Sequence, residues 1–162
     1  MARARRPGGG PARPARQAAA GPSPAGQGYA MPAEWEPHEA TWLAWPHNVR
    51  DWPGRFGPIP WVYADIVRKL AAGETVRLLV GEAAEARRAR AHLERAGADL
   101  GRVELRRLPT DRVWTRDSGP VVLARRRGGR AVAGFRFNAW AKYPDWRRDA
   151  RIPGYAARVT AM

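Results

Sequence analysis

Residues Thr75–Val80, TVRLLV, are β-branched and apolar enough to make a buried strand, and they lie between two segments patterned as amphipathic helices. That arrangement constrains the fold more than any other feature of the chain, because a strand entered from one helix and left into another is the unit of mixed α/β proteins. Before the strand, Pro60 suits a first helical position, and Val62, Ile66 and Leu70 recur at helical spacing until Gly73. After it, a helix from Glu82 to Ala96 carries Glu82 and Glu85 in its first turn and Arg95 in its last, complementing the helix dipole, and Gly97 suits its C-terminal cap. Further strands are expected at Thr41–Trp45, stopped by Pro46, and at Val103–Leu108, where apolar and charged residues alternate. Val121–Arg125 and Arg130–Asn138 are expected to form a hairpin turned on Gly128 and Gly129. The order strand, helix, strand, helix, strand, strand, strand defines the class as α/β.

The fold is expected to begin near Met31. Residues 1–30 hold five arginines, six glycines, five prolines and no acidic residue, and almost nothing they contain is worth burying. Such a segment does not offset its own ordering entropy, so it reads as a disordered basic tail ahead of a 31–162 domain. Trp35, Trp42, Trp45, Trp52 and Trp61 then follow in quick succession as large apolar anchors, most of which are expected to pack. The run Asp51–Pro60, rich in proline and glycine, reads as a loop.

Composition narrows the function. With no cysteine, the chain has no disulfide, no thiolate metal site and no thiol chemistry. No apolar run suits a signal peptide or a membrane span, so a cytoplasmic protein without membrane contact is expected. The formal charge of +14 suggests phosphate binding, yet only Lys69 and Lys142 of the 29 basic residues are lysine. An arginine bias of that kind, with abundant alanine, glycine and proline, is what a GC-rich coding sequence gives, and no nucleic-acid-reading motif accompanies it. A nucleic-acid partner is therefore not the expected one, and a non-catalytic, arginine-rich nucleic-acid-binding module is kept as the alternative.

Three segments mix rigid aromatics with polar groups that neither helix nor strand periodicity explains: MPAEWEPHEATWLAWP from Met31, WTRDSGP from Trp114, and FNAWAKYPDW from Phe137. In the second, Gly119 and Pro120 make a tight turn before a strand and put Asp117 at the strand entrance. A carboxylate there can hold a cation, with the face of Trp114 against the same charge. Equally, Asp117 can pair with Arg116 or Arg112 or accept turn N–H groups, and the segment alone leaves both readings open. For Asn138 and Trp140 the plain reading is scaffold, Asn138 closing a turn and Trp140 filling the core. His38 and His47 suit packing or capping, and His92 a surface or structural place on its helix.

Taken together, the three motifs in this order and spacing resemble the agmatine deiminase family and its relatives, the bacterial-type peptidyl-arginine deiminases. The resemblance runs from about Met31 to Pro153. It implies the pentein fold, five strand-and-helix modules arranged as a propeller around a polar site, of which this chain would supply only the N-terminal modules. It further implies hydrolysis of a guanidinium to a ureido group with release of ammonia, agmatine giving N-carbamoylputrescine in putrescine biosynthesis or, as the alternative, peptidyl-arginine as the substrate, with no cofactor and no metal. Asp117 takes the place of the family aspartate that grips the guanidinium, and Trp114 that of a tryptophan at the substrate site. The family's later glutamate, its H-x-D pair and its catalytic cysteine have no counterpart before Met162, so no catalytic residue is assigned and the chain is expected to be inactive without a missing C-terminal half. Where relatives often carry glycine after the motif tryptophan, this sequence has Ala141, which puts the loop's backbone conformation in question.

Overall fold

The computed structural model describes residues 22–162. In chain order the elements are β1 (Tyr29–Ala30), β2 (Ala40–Ala44), α1 (Ile59–Ala71), β3 (Thr75–Val80), α2 (Ala83–Arg95), β4 (Val103–Arg107), the one-turn α3 (Thr115–Ser118), β5 (Val121–Arg125), β6 (Arg130–Ala133) and α4 (Ile152–Val159). Short 3-10 turns at Val49–Asp51, Leu100–Arg102, Ala139–Ala141 and Asp149–Arg151 complete them.

β2, β3 and β4 form a parallel sheet with β3 in the middle, and Leu43, Leu78 and Leu105 stand in register across it. From Leu78 to Val80 the central strand is buried on both faces, which is why that end carries no polar residue, whereas Thr75 and Arg77 lie at its half-buried start. On one face Val76, Leu78 and Val80 meet Ala64, Val67 and Ala71 of α1 and Ala89 and Leu93 of α2, with Trp45 in the same cluster. On the other face Leu79 joins Ala44, Val113 and Ile152. The small residues on α1 and α2 let both helices lie close to the sheet, and Gly97, at φ +72°, ends the second of them as expected.

β1, β5 and β6 make a second, antiparallel sheet. Gly128 and Gly129, at φ +86° and +94°, turn the β5–β6 hairpin. β6 ends at Ala133 rather than Asn138: Ala133 pairs with Val121, the first residue of β5, so the residues beyond it have no partner strand. α4, which the sequence reading did not anticipate, closes the second core through Ile152.

The tail boundary also changes. Within the expected disordered stretch 1–30, residues 1–21 lie outside the described residues, but residues 22–30 are built into the fold. Gln27 and Gly28 donate to the carbonyls of Ser23 and Ala25, and Tyr29 and Ala30 pair with Arg125 and Ala124. The physical reason is an edge strand: β5 offers unpaired backbone groups, and the Tyr29 ring lies 4.0 Å from the Arg125 guanidinium. Of the N-terminal tryptophans, Trp42, Trp45 and Trp52 pack as anticipated, whereas Trp35 is 89% exposed.

Candidate functional site

The chain from β4 to β5 is held by a short set of local bonds. The Ser118 hydroxyl donates to the Trp114 carbonyl at 2.9 Å, and the Gly119 N–H donates to the Thr115 carbonyl at 2.8 Å. A Cβ on residue 119 would lie 2.2 Å from that carbonyl oxygen, so only glycine fits this turn. The one-turn helix presents Asp117 to solvent at its rim. Both of the arginines offered as partners by the sequence are engaged elsewhere: Arg116 meets Glu34 at 2.7 Å, and Arg112 meets Asp51 and Asp145. Among the described residues, no side-chain hydrogen bond or ion pair reaches the Asp117 carboxylate, and it lines an open cleft of about 480 Å³ together with Trp114, Trp140, Lys142 and Tyr143.

The walls of that cleft are aromatic. Trp114 stands 5.4 Å from Trp140 and 5.3 Å from Tyr143 between ring centroids, and Phe137 supports Trp140 edge-on at 5.6 Å. Trp140 does not fill the core, as its motif suggested; it is 54% exposed, and the residue buried beneath it is Ala139. The cause is the backbone. Ala139, Trp140 and Ala141 all have positive φ, +50°, +55° and +56°, which turns the indole out of the core and over the cleft. Such a run costs about 1–2 kcal/mol per non-glycine residue, and functional sites are where strain of this kind is retained. Asn138 closes the turn as expected, through its carbonyl, which accepts from the Ala141 N–H at 3.1 Å.

Behind the walls lies a buried charge network. Arg112, 6% exposed, donates to Asp51 and, at 2.8 Å, to Asp145, while its guanidinium carbon lies 5.1 Å from the Trp114 ring and 4.7 Å from the Tyr143 ring. Its bond to Asp145 holds that carboxyl below the usual range. Burial opposes the charge on Arg112 itself, but the two carboxylates outweigh it and raise its pKa. Asp149, 1% exposed, accepts from the Asp111 and Arg112 N–H groups at 2.6 and 3.1 Å. Burial still pushes its carboxyl up to about 6, because two backbone donors do not replace bulk water around a carboxylate.

The histidines lie apart from the cleft. His38 approaches Glu74 at 3.8 Å, and a ring nitrogen of His47 is 3.0 Å from the Trp45 carbonyl. His92 meets Trp61 edge-on at 4.6 Å between ring centroids and lies tilted against Trp45 at 5.8 Å. Trp140, Lys142 and Tyr143 are the cleft residues whose place sequence reasoning missed, although the aromatic and polar mixture of FNAWAKYPDW marked their segment.

The sequence model of the Porphyromonas-type peptidyl-arginine deiminase family matches residues 30–162. The chain belongs to this family. Among its relatives, an agmatine deiminase of Stutzerimonas stutzeri is 33% identical over 136 residues, covering 80% of this chain and 35% of its own length. One of Pseudomonas aeruginosa is 32% identical over 135 residues, again with 80% and 35% coverage. The solved agmatine deiminase of Enterococcus faecalis superimposes with a TM-score of 0.78 at 20% identity, over 88% of this chain and 38% of that one. The fold is therefore part of a pentein, as the motif resemblance implied, and the chain spans little more than a third of the length of these relatives.

Proposed function

We propose that this chain supplies the guanidinium-gripping part of an agmatine deiminase-type hydrolase, which converts agmatine and water to N-carbamoylputrescine and ammonia in the cytoplasm. The observation that carries the reading is Asp117, a carboxylate with no side-chain hydrogen bond or ion pair among the described residues, placed in a cleft walled by Trp114, Trp140 and Tyr143. A guanidinium is planar and cationic, so a carboxylate at its edge binds it through charge-assisted hydrogen bonds while aromatic faces cover its plane and exclude water. The carbon then remains open to attack perpendicular to the plane. That attack needs an activated nucleophile, in this family a cysteine thiolate, with a histidine moving protons. This chain has no cysteine, so the chemistry falls to a polypeptide carrying the family's H-x-D pair and cysteine.

Agmatine is favoured over peptidyl-arginine because the Stutzerimonas stutzeri and Pseudomonas aeruginosa relatives, which match over most of the chain, are agmatine deiminases. No nucleic acid or membrane enters the proposal; no helix among the described residues is long and apolar enough to cross a membrane. The test pairs this chain with a separately expressed C-terminal half and follows ammonia release from agmatine. Asp117→Asn keeps the shape and removes the charge. Loss of charged hydrogen bonds worth about 1.5–3 kcal/mol should lower kcat/KM by roughly one to two orders of magnitude. An unchanged kcat/KM in a folded variant would overturn the assignment.

A further inference from the structure

The cleft is built from two chain segments that the sequence keeps apart, Trp114–Asp117 on one side and Trp140–Tyr143 on the other. Arg112 touches both. It precedes Trp114 by two residues and lies against that ring, and it reaches across to Asp145 and to the ring of Tyr143 in the opposite segment. Its other arm goes to Asp51, in the 3-10 turn Val49–Asp51 beneath the site, whose side chain is almost wholly buried. Asp145 is steadied in turn by Arg50 at 3.1 Å.

Three features indicate that this network sets geometry rather than merely filling space. Among the described residues, the Arg112 Nε and Asp51 Oδ2 are both buried without a hydrogen-bond partner, so the network is not an optimised ion pair. The guanidinium fork makes its two bonds in fixed directions, which an ammonium does not reproduce. It also lies over both the Trp114 and the Tyr143 rings, 5.1 and 4.7 Å from their centroids, and so ties the two cleft walls to one group. We infer that Arg112 is a positioning residue for the cleft: by bridging Asp51 and Asp145 behind Trp114 and Tyr143 it holds the aromatic walls at the spacing that admits a guanidinium beside Asp117. The inference rests on the proposed function of that cleft.

The test uses the whole chain, with agmatine as probe and isothermal titration as readout, at a temperature where every variant is folded by far-UV circular dichroism. Native protein is compared with Asp117→Asn, Arg112→Lys, Arg112→Gln, Asp145→Asn and Val67→Ala. Val67 lies in the core on the opposite face of β3, so its variant lowers stability without touching the cleft. Displacing binding groups by an ångström costs roughly tenfold or more, so the Arg112 and Asp145 variants should each bind agmatine about tenfold more weakly. Arg112→Lys should fare no better than Arg112→Gln, and all three should alter the near-UV dichroism of the unliganded aromatics. Asp117→Asn should lose affinity with that spectrum unchanged, and Val67→Ala should keep native affinity. If Arg112→Gln does not fold, Arg112→Lys and Asp145→Asn still decide. Native affinity in those two, or an equal loss in Val67→Ala, would overturn the positioning role while leaving the cleft assignment standing. Absence of agmatine binding by the native chain, or native affinity in Asp117→Asn, would overturn the reading of the cleft and the inference with it.

Discussion

Ala141 is a residue whose type and backbone disagree. With φ at +56° it occupies a conformation that glycine adopts at no steric cost, and it closes a run of three such residues under the exposed Trp140. Ala141→Gly should therefore relieve strain and stabilise the fold by about 1 kcal/mol, partly offset by the greater freedom of glycine in the unfolded chain. The check is the thermal midpoint, which should rise by a few degrees; a fall would mean that the turn is not strained at that position. Asp117 is the complementary case at the same scale. Its type suits several roles, and what distinguishes it is the absence of any partner among the described residues, while both neighbouring arginines are taken.

At the scale of elements, β1 shows how little chain is needed to extend a sheet. Two residues pair with β5, and Tyr29 contributes its ring to Arg125. Removing residues 1–21 should leave the stability of the domain unchanged. Removing residues 1–30 takes away the edge strand and the cation–π contact as well, and should cost about 1–2 kcal/mol. Denaturant midpoints of the two truncated proteins test this, and equal midpoints would remove β1 from the folded unit. The turn at Gly119 is the other element on which the site depends. It aims α3 by a contact so close that any side chain at that position displaces Thr115 and, with it, the rim that carries Asp117.

For the molecule as a whole, stability and activity both depend on groups outside the cleft. Asp149 has its carboxyl raised to about 6 by burial, so the folded state binds its proton more tightly than the unfolded state does. Its contribution to stability is full below about pH 4, the ordinary range of an aspartate, and is lost as pH rises through about 6, a change on the order of 3 kcal/mol. Asp145 and Glu104, held low by Arg112 and Arg106, act in the opposite sense, losing their contribution as pH falls through their lowered values. The Asp149 effect is therefore read as a difference: relative to Asp149→Asn, the native protein should lose stability between pH 4 and 7, measured by chemical denaturation at each pH. A constant difference would mean that the two backbone donors offset the burial of the carboxylate. Activity has a simpler expectation. Incubated alone with agmatine, this chain should release no ammonia above a buffer control, because it holds no thiol to attack the guanidinium carbon.

The sequence alone determined the α/β class, the bounds of β3 and β5 to the residue, both long helices to within a residue or two at each end, and the family, because these rest on local patterns and on motifs contiguous in the chain. Asp117 and Trp114 were legible for the same reason, through one short motif. Tertiary structure decided the rest. Whether Asp117 was free or paired depended on Asp51, Asp145 and Glu34 drawing the arginines away, contacts between segments far apart in sequence. β1 formed because β5 had an open edge, which the composition of residues 22–30 does not reveal. Trp140 faced the cleft because three successive left-handed residues turned it there, against the tendency of a large apolar side chain to be buried. Side-chain type sets what a residue gains from burial, but where the backbone points it depends on the packing of the segments around it.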